Sequence, residues 1–176
     1  MTAADYLAWE AEQTEPHEFV GGETLAMAGA EDRHVTVAMD MAFALRHHQP
    51  ARRAAPSSAT CFLNVAASGN YFCPDIRVTC RAADLASPPA KSEPKLIVEV
   101  LTPSTAAFDR GLKFSYYRHL PSLQEYALID LDTRAVDRYT LEADGLWKLH
   151  PFAAYETVTL ASVALQISAT QLFVEI

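Results

Sequence analysis

Cysteine is scarce in this chain: Cys61, Cys73 and Cys80 are the whole set, and no CxxC spacing joins them. An odd, unpaired set argues against a disulfide framework or a cysteine zinc site. It predicts small buried thiols in a reducing compartment. Long apolar runs are also missing. No stretch approaches the roughly 20 residues that cross a bilayer, and the opening MTAADYLAWEAEQ is polar and acidic, unlike a signal peptide. These absences predict a cytoplasmic protein with no membrane partner. Positive charge is in deficit, with a formal net charge of -8. Overall repulsion therefore opposes nonspecific coating of nucleic acid, although a local basic cleft is still allowed. Lysine is rare and confined to Lys91, Lys95, Lys113 and Lys148. No internal repeat or low-complexity tract is present.

What remains is an ordinary globular composition: 176 residues, 50% hydrophobic and 20% charged. That length suffices for one domain, residues 1–176, with a sizeable core. Its centre of interest is KLIVEVLTPSTAAFDRGLKFSYY, from Lys95 to Tyr117. Leu96 to Leu101 is a short β-branched run, which predicts a strand buried on both faces. Alternation sets Leu96, Val98 and Val100 on one face and Ile97, Glu99 and Leu101 on the other. An ionised Glu99 among apolar neighbours is costly without a cation or hydrogen bonds. Pro103-Ser104-Thr105 then opens a helix, where Asp109 and Lys113, four apart, share a face. Tyr116 and Tyr117 follow and read as core, and Pro121-Ser122-Leu123 ends the helix.

Along the rest of the chain, Thr2 caps a helix to about Gln13 with Tyr6, Leu7 and Trp9 as its stripe. His17 to Met27 predicts a hairpin turning at Gly21-Gly22 and flanked by Glu18 and Glu23. Glu31 to His48 predicts the longest helix, with Val35, Ala38, Ala42 and Leu45 facing inward and Met41 beside them. Residues 50–58 read as a connection and Thr60 to Val65 as a strand. Tyr71 to Cys80 reads as another strand, with Asp75 leading its polar face. Residues 82–94 read as a surface loop. Glu125 to Leu131 predicts a second apolar strand ending at Asp130 as a turn residue. Ala135 to Leu141 and Leu146 to Phe152 form a meander around Gly145, and a short strand lies near Val158. Mixed helices and strands make the fold α/β (α+β).

The pieces HEFVGGE, YFCPDIRV, LIVEVLTPST and FDRGLKFSYYRHLPSLQEYALID together resemble the Uma-type restriction endonuclease family of the PD-(D/E)XK nuclease superfamily. The resemblance spans nearly the whole chain. It implies a restriction-endonuclease-like mixed central sheet flanked by helices. It implies a metal-dependent DNA endonuclease in which Asp75 and Glu99 hold Mg2+ or Mn2+ and Lys113 stabilises developing charge or orients water. Glu18 or Glu23 is a further carboxylate candidate. The superfamily's lysine position, two after Glu99, is Leu101 here, so Lys113 stands in from the helix. By analogy the assembly is a homodimer.

Each residue also has a structural explanation. Asp75 caps a turn, Arg77 neutralises Glu99 and Lys113 pairs with Asp109; His34, which opens the long helix, either approaches the site or, as the favoured reading, caps its helix or lies at the surface. The alternative function is a nuclease-fold module that binds nucleic acid or a partner without cutting. A phosphodiesterase acting on nucleotides or RNA is a third.

Overall fold

A computed structural model describes residues 1–27, 29, 31–48, 53–56, 62–79, 81, 84 and 90–174. Thr2 caps helix α1 (Ala3–Glu10) through a reciprocal box with Asp5, and the helix stops short of Gln13. Strands β1 (His17–Val20) and β2 (Glu23–Ala26) form the hairpin. Gly21 and Gly22 take φ of 62° and 93°, which a two-residue turn of this hand requires.

Helix α2 (Asp32–His48) buries Val37, Ala38, Met41, Ala42 and Leu45. Val35, expected in that stripe, is 43% exposed instead. Two neighbouring stripes fit the helical period here, and only the packing partners choose between them. Strand β3 (Arg53–Pro56) lies where the sequence predicts a connection. It pairs antiparallel with Ile76–Thr79, so a distant partner rather than local propensity holds it extended. Strand β4 is Phe62–Val65. Thr60, Cys61 and Cys80 lie outside the described residues, and Cys73 is a buried free thiol.

The strand expected from Tyr71 to Cys80 is in fact two, β5 (Asn70–Phe72) and β6 (Ile76–Thr79), in different sheets. Pro74 lies in the break, where its missing N–H interrupts a ladder at no loss. Within residues 82–94, β7 (Ala90–Lys91) runs parallel to β4. Asp84, read as part of a surface loop, is buried. Its carboxylate accepts from the Thr79 hydroxyl at 3.2 Å and from the Ser92 and Glu93 N–H groups at 3.0 and 2.9 Å. It thereby ties the end of β6 to the start of β8 (Pro94–Leu101).

Strand β8 pairs antiparallel with β6 and parallel with β9 (Glu125–Asp130). The crossover between them is α3, α-helical over Ala106–Phe108, π-helical over Asp109–Lys113 and α-helical again over Phe114–Tyr117. Strands β10 (Ala135–Leu141) and β11 (Trp147–Phe152) complete the meander. Asp130 Oδ1 accepts from the N–H groups of Asp132 and Thr133 in the β9–β10 turn. Strands β12 (Val158–Leu160) and β13 (Leu165–Ile167) pair with each other, and α4 (Ala169–Leu172) follows. The larger sheet runs β11-β10-β9-β8-β6-β3 and the smaller β2-β1-β5-β4-β7.

Alternation in β8 divides the core. Leu96, Val98 and Val100 pack with α2 residues and Ile129. Ile97 and Leu101 pack with Tyr117, Leu123 and Leu128 on the α3 side. The result is the expected mixed central sheet flanked by helices. Among the described residues no helix is long and apolar enough to cross a membrane.

Asp84→Ala should cost roughly 1–2 kcal/mol, because the part-buried Ser92 and Glu93 N–H groups lose a charged acceptor, while the Thr79 hydroxyl keeps the Glu93 carbonyl at 3.0 Å. Urea denaturation checks this; a cost within about 0.5 kcal/mol would mean the loop does not depend on Asp84.

Candidate active site

Glu99 lies on the α3-facing side of β8 and is 2% exposed. Its Oε1 accepts hydrogen bonds from Lys113 Nζ at 3.2 Å and from the Tyr117 hydroxyl at 3.1 Å. Its Oε2 accepts the Asp75 N–H at 3.0 Å. Asp75 precedes β6 by one residue rather than standing in the strand. Its Oδ2 accepts the Val100 N–H at 2.7 Å, so a side-chain oxygen takes up a β8 donor where the β6 backbone has ended.

Lys113 gathers three acids. Besides Glu99, its Nζ is 3.0 Å from Glu18 Oε1 and 3.1 Å from Asp109 Oδ1. Glu18 arrives from β1, and its Oε1 also accepts the Cys73 N–H at 3.1 Å. The π turn puts Asp109 and Lys113 on the buried side of α3 together; such turns often mark functional sites. Tyr126 adds a hydroxyl donated to the Asp109 carbonyl at 3.1 Å.

The structure therefore brings Asp75, Glu99, Lys113 and Glu18 together and leaves Glu23 exposed at the hairpin. His34 takes the less favoured of its two readings and comes to the site. Rather than capping α2 or facing solvent, it sets Nε2 2.9 Å from Asp75 Oδ1. The signal for it was faint: a histidine in the first turn of a helix has no local reason to point at a carboxylate 41 residues away. Tyr117 and Asp109 were missed as site residues, although Asp109, Lys113 and Tyr117 recur at four-residue spacing and flag one polar line on an apolar helix. Leu101, at the motif's lysine position, is packed in the apolar cluster beneath α3.

Glu18, His34, Asp75, Glu99, Asp109 and Lys113 line a cleft of about 580 Å³, whose apolar wall includes Met27 and Phe108. Four carboxylates, Glu18, Asp75, Glu99 and Asp109, stand against Lys113 and His34. Burial pushes the Glu99 carboxyl well up; the Lys113 ammonium opposes this, while Asp75, Asp109 and Glu18 reinforce it. Burial pulls Lys113 down, but its three acidic neighbours more than compensate and hold it well up, as an ammonium. Burial likewise pulls His34 down, yet the bond and charge of Asp75 make the net shift upward. Burial raises the Cys73 thiol far above the range in which a thiolate forms.

The donor chemistry fits a hard divalent cation. Asp75 and Glu99 offer carboxylate oxygens only, and acid exceeds base around them. Among the described residues no group of three or more His, Cys, Asp or Glu is arranged to hold a metal ion. A hard divalent cation can keep several waters and bind through one or two protein carboxylates.

Comparison with known proteins agrees with this architecture. The Uma2 family model, described as "Putative restriction endonuclease", matches residues 3–171. The chain belongs to the Uma2 family. Two Synechocystis sp. proteins, both described as uncharacterized, are similar over most of their length. One, slr1290, is 32% identical over 173 residues, covering 98% of this chain and 91% of the relative. The other, sll1609, is 36% identical over 151 residues, 85% of each. A crystal structure from Anabaena variabilis, described as "a putative nuclease belonging to DUF820", matches with a TM-score of 0.80 at 18% identity, covering 99% of this chain and 98% of that one. At that identity the likeness is one of fold. The Uma2 family description is what supports a nuclease.

The Lys113 cluster predicts a pH-dependent stability. Glu99 has its folded pKa above the ordinary 4.5, so the folded state binds the extra proton and Glu99 weakens the fold as pH climbs past about 4.5. Lys113 has its folded pKa above 10.5, so its contribution is present below that pH and is lost as pH rises through the folded value. Lys113→Met should cost roughly 3–5 kcal/mol at neutral pH and less near pH ~5, where Glu99, held well up by its burial, takes up a proton. Urea denaturation at both pH values checks this; equal cost at both would contradict the charge account.

Proposed function

We propose that this Uma2 chain is a divalent-metal-dependent endonuclease that hydrolyses DNA phosphodiester bonds, with residues 1–176 acting as one domain in the cytoplasm. The observation that carries the reading is the convergence of Asp75, Glu99 and Lys113 from β6's start, β8 and α3 on one cleft. Asp75 and Glu99 would hold Mg2+ or Mn2+, with Glu18 as the adjoining acid. The ion supplies polarisation of the scissile phosphate and acidification of the attacking water.

The chain's own groups do the positioning. Tyr117 and the Asp75 N–H restrain the Glu99 carboxylate from opposite oxygens. His34 and the Val100 N–H restrain Asp75 in the same way. Lys113, kept charged by its acidic neighbours, lines the cleft and would give up one of its three acids to reach a phosphate oxygen as negative charge develops there. A cleft this acidic repels a bare phosphate, so a bound cation is also what makes room for DNA. Cutting both strands takes two clefts, and the reading therefore implies a homodimer.

The test is nicking of supercoiled plasmid. Wild type with Mg2+ should nick and lose activity with EDTA. Asp75→Ala and Glu99→Gln should each lower the rate by at least about 10²-fold. Equal nicking by wild type and Asp75→Ala sinks the proposal. Calorimetric Mn2+ uptake that disappears in Asp75→Ala ties the loss to the ion. DNA binding without cleavage would favour the non-cutting module, and cleavage confined to RNA or nucleotides would favour the phosphodiesterase.

A further inference from the structure

Helix α2 has a second face that the fold leaves uncovered. Opposite its buried stripe, Val35, Met39 and Phe43 are 43%, 61% and 71% exposed. Asp32 and Arg46, near the two ends of the helix, are exposed as well. Each helical residue advances by roughly 100°, so all five side chains leave the helix within roughly 40° of the direction of Met39. They form one narrow stripe that reads acid, apolar, apolar, apolar, base. Phe43 is already ordered by stacking on His47, with ring centroids 6.0 Å apart.

The stripe is self-complementary. Asp32 and Arg46 are equally spaced in sequence about Met39, and so are Val35 and Phe43. Two such helices laid antiparallel about a twofold axis through Met39 would therefore meet in matched pairs. Asp32 would face the partner's Arg46, Val35 would face the partner's Phe43, and Met39 would face the partner's Met39. An isologous interface needs this property, a patch that fits its own rotated copy. A parallel arrangement would instead set like charges together at both ends. Three large apolar side chains in line on an exposed helix also mark a contact surface better than solvent-facing decoration.

We propose that this α2 face is the interface between two copies of the chain, closed by Asp32–Arg46 pairs at both ends of an apolar seam. The inference does not rest on the nuclease reading, because neither the stripe nor its symmetry involves the cleft. It does bear on the assembly, since His34, the partner of Asp75, belongs to the same helix and adjoins Val35.

Sedimentation velocity on the full chain tests it, with circular dichroism confirming that each variant stays folded. The wild type should dimerise with rising concentration. Met39→Lys places two ammonium groups at the axis and should weaken the dimer at least about tenfold. Phe43→Ser is a second, uncharged variant with the same expected direction. Asp32→Lys and Arg46→Glu should each weaken association, and the double variant Asp32→Lys/Arg46→Glu should restore it, because only an antiparallel seam opposes these positions. A wild type that stays monomeric overturns the proposal. So does a dimer indifferent to Met39→Lys, or one that the double variant fails to rescue. Single-strand nicking, measured on the same variants, needs only one cleft; its survival in a monomeric variant would leave the catalytic reading intact while the interface is judged separately.

Discussion

The ammonium of Lys113 is buried against Glu18, Glu99 and Asp109, and the rest of the architecture depends on that contact. Taking an ammonium out of water costs several kcal/mol unless close acids and good geometry offset it. Three different elements supply those acids: the first hairpin, the central strand and the crossover helix. Moving any one of them away leaves a charge buried alone, so the hairpin of the smaller sheet is held against the larger sheet electrostatically as well as by packing. The same arithmetic leaves the cleft with more acid than base. On the proposed reading, a bound divalent cation would offset that imbalance.

Asp75 shows how closely site and scaffold are joined. Its carboxylate accepts a β8 N–H and its own N–H binds Glu99, so the two acids are locked together by ladder-like hydrogen bonds at the point where β6 ends. Pro74 just before it forbids the ladder from continuing by backbone alone. The break between β5 and β6 thus does two things: it sends the chain from one sheet to the other, and it exposes a carboxylate at the edge of the cleft. The π turn in α3 acts in the same sense on the opposite wall, where it places Asp109 and Lys113 inward together.

Much of this could be read from the residues. The β8 run and its alternation follow from local chemistry, because a strand covered on both faces must be apolar on both and any charge within it stands out. The Gly21-Gly22 hairpin is equally local, since positive φ at consecutive positions selects glycine. Asp109 and Lys113 share a face by helical spacing alone. By contrast, β3 is held extended by β6, Asp84 is buried by backbone donors near β8, and His34 turns inward because Asp75 is there. Val35 and Val37 are interchangeable to a helical pattern, and only the position of the sheet decides which one is covered.

From its sequence alone, then, the chain determined which segments become buried strand, hairpin and helix, and which acidic and basic side chains those segments carry. Periodicity and turn chemistry act over a few residues and need no distant partner. The meeting of Glu18, Asp75, Glu99, Asp109, Lys113 and His34 in one cleft was decided by tertiary structure. A charge becomes stable in an apolar interior only when partners from elsewhere in the chain arrive at hydrogen-bonding distance, and that arrival is a property of the packed sheets and helices rather than of any stretch by itself.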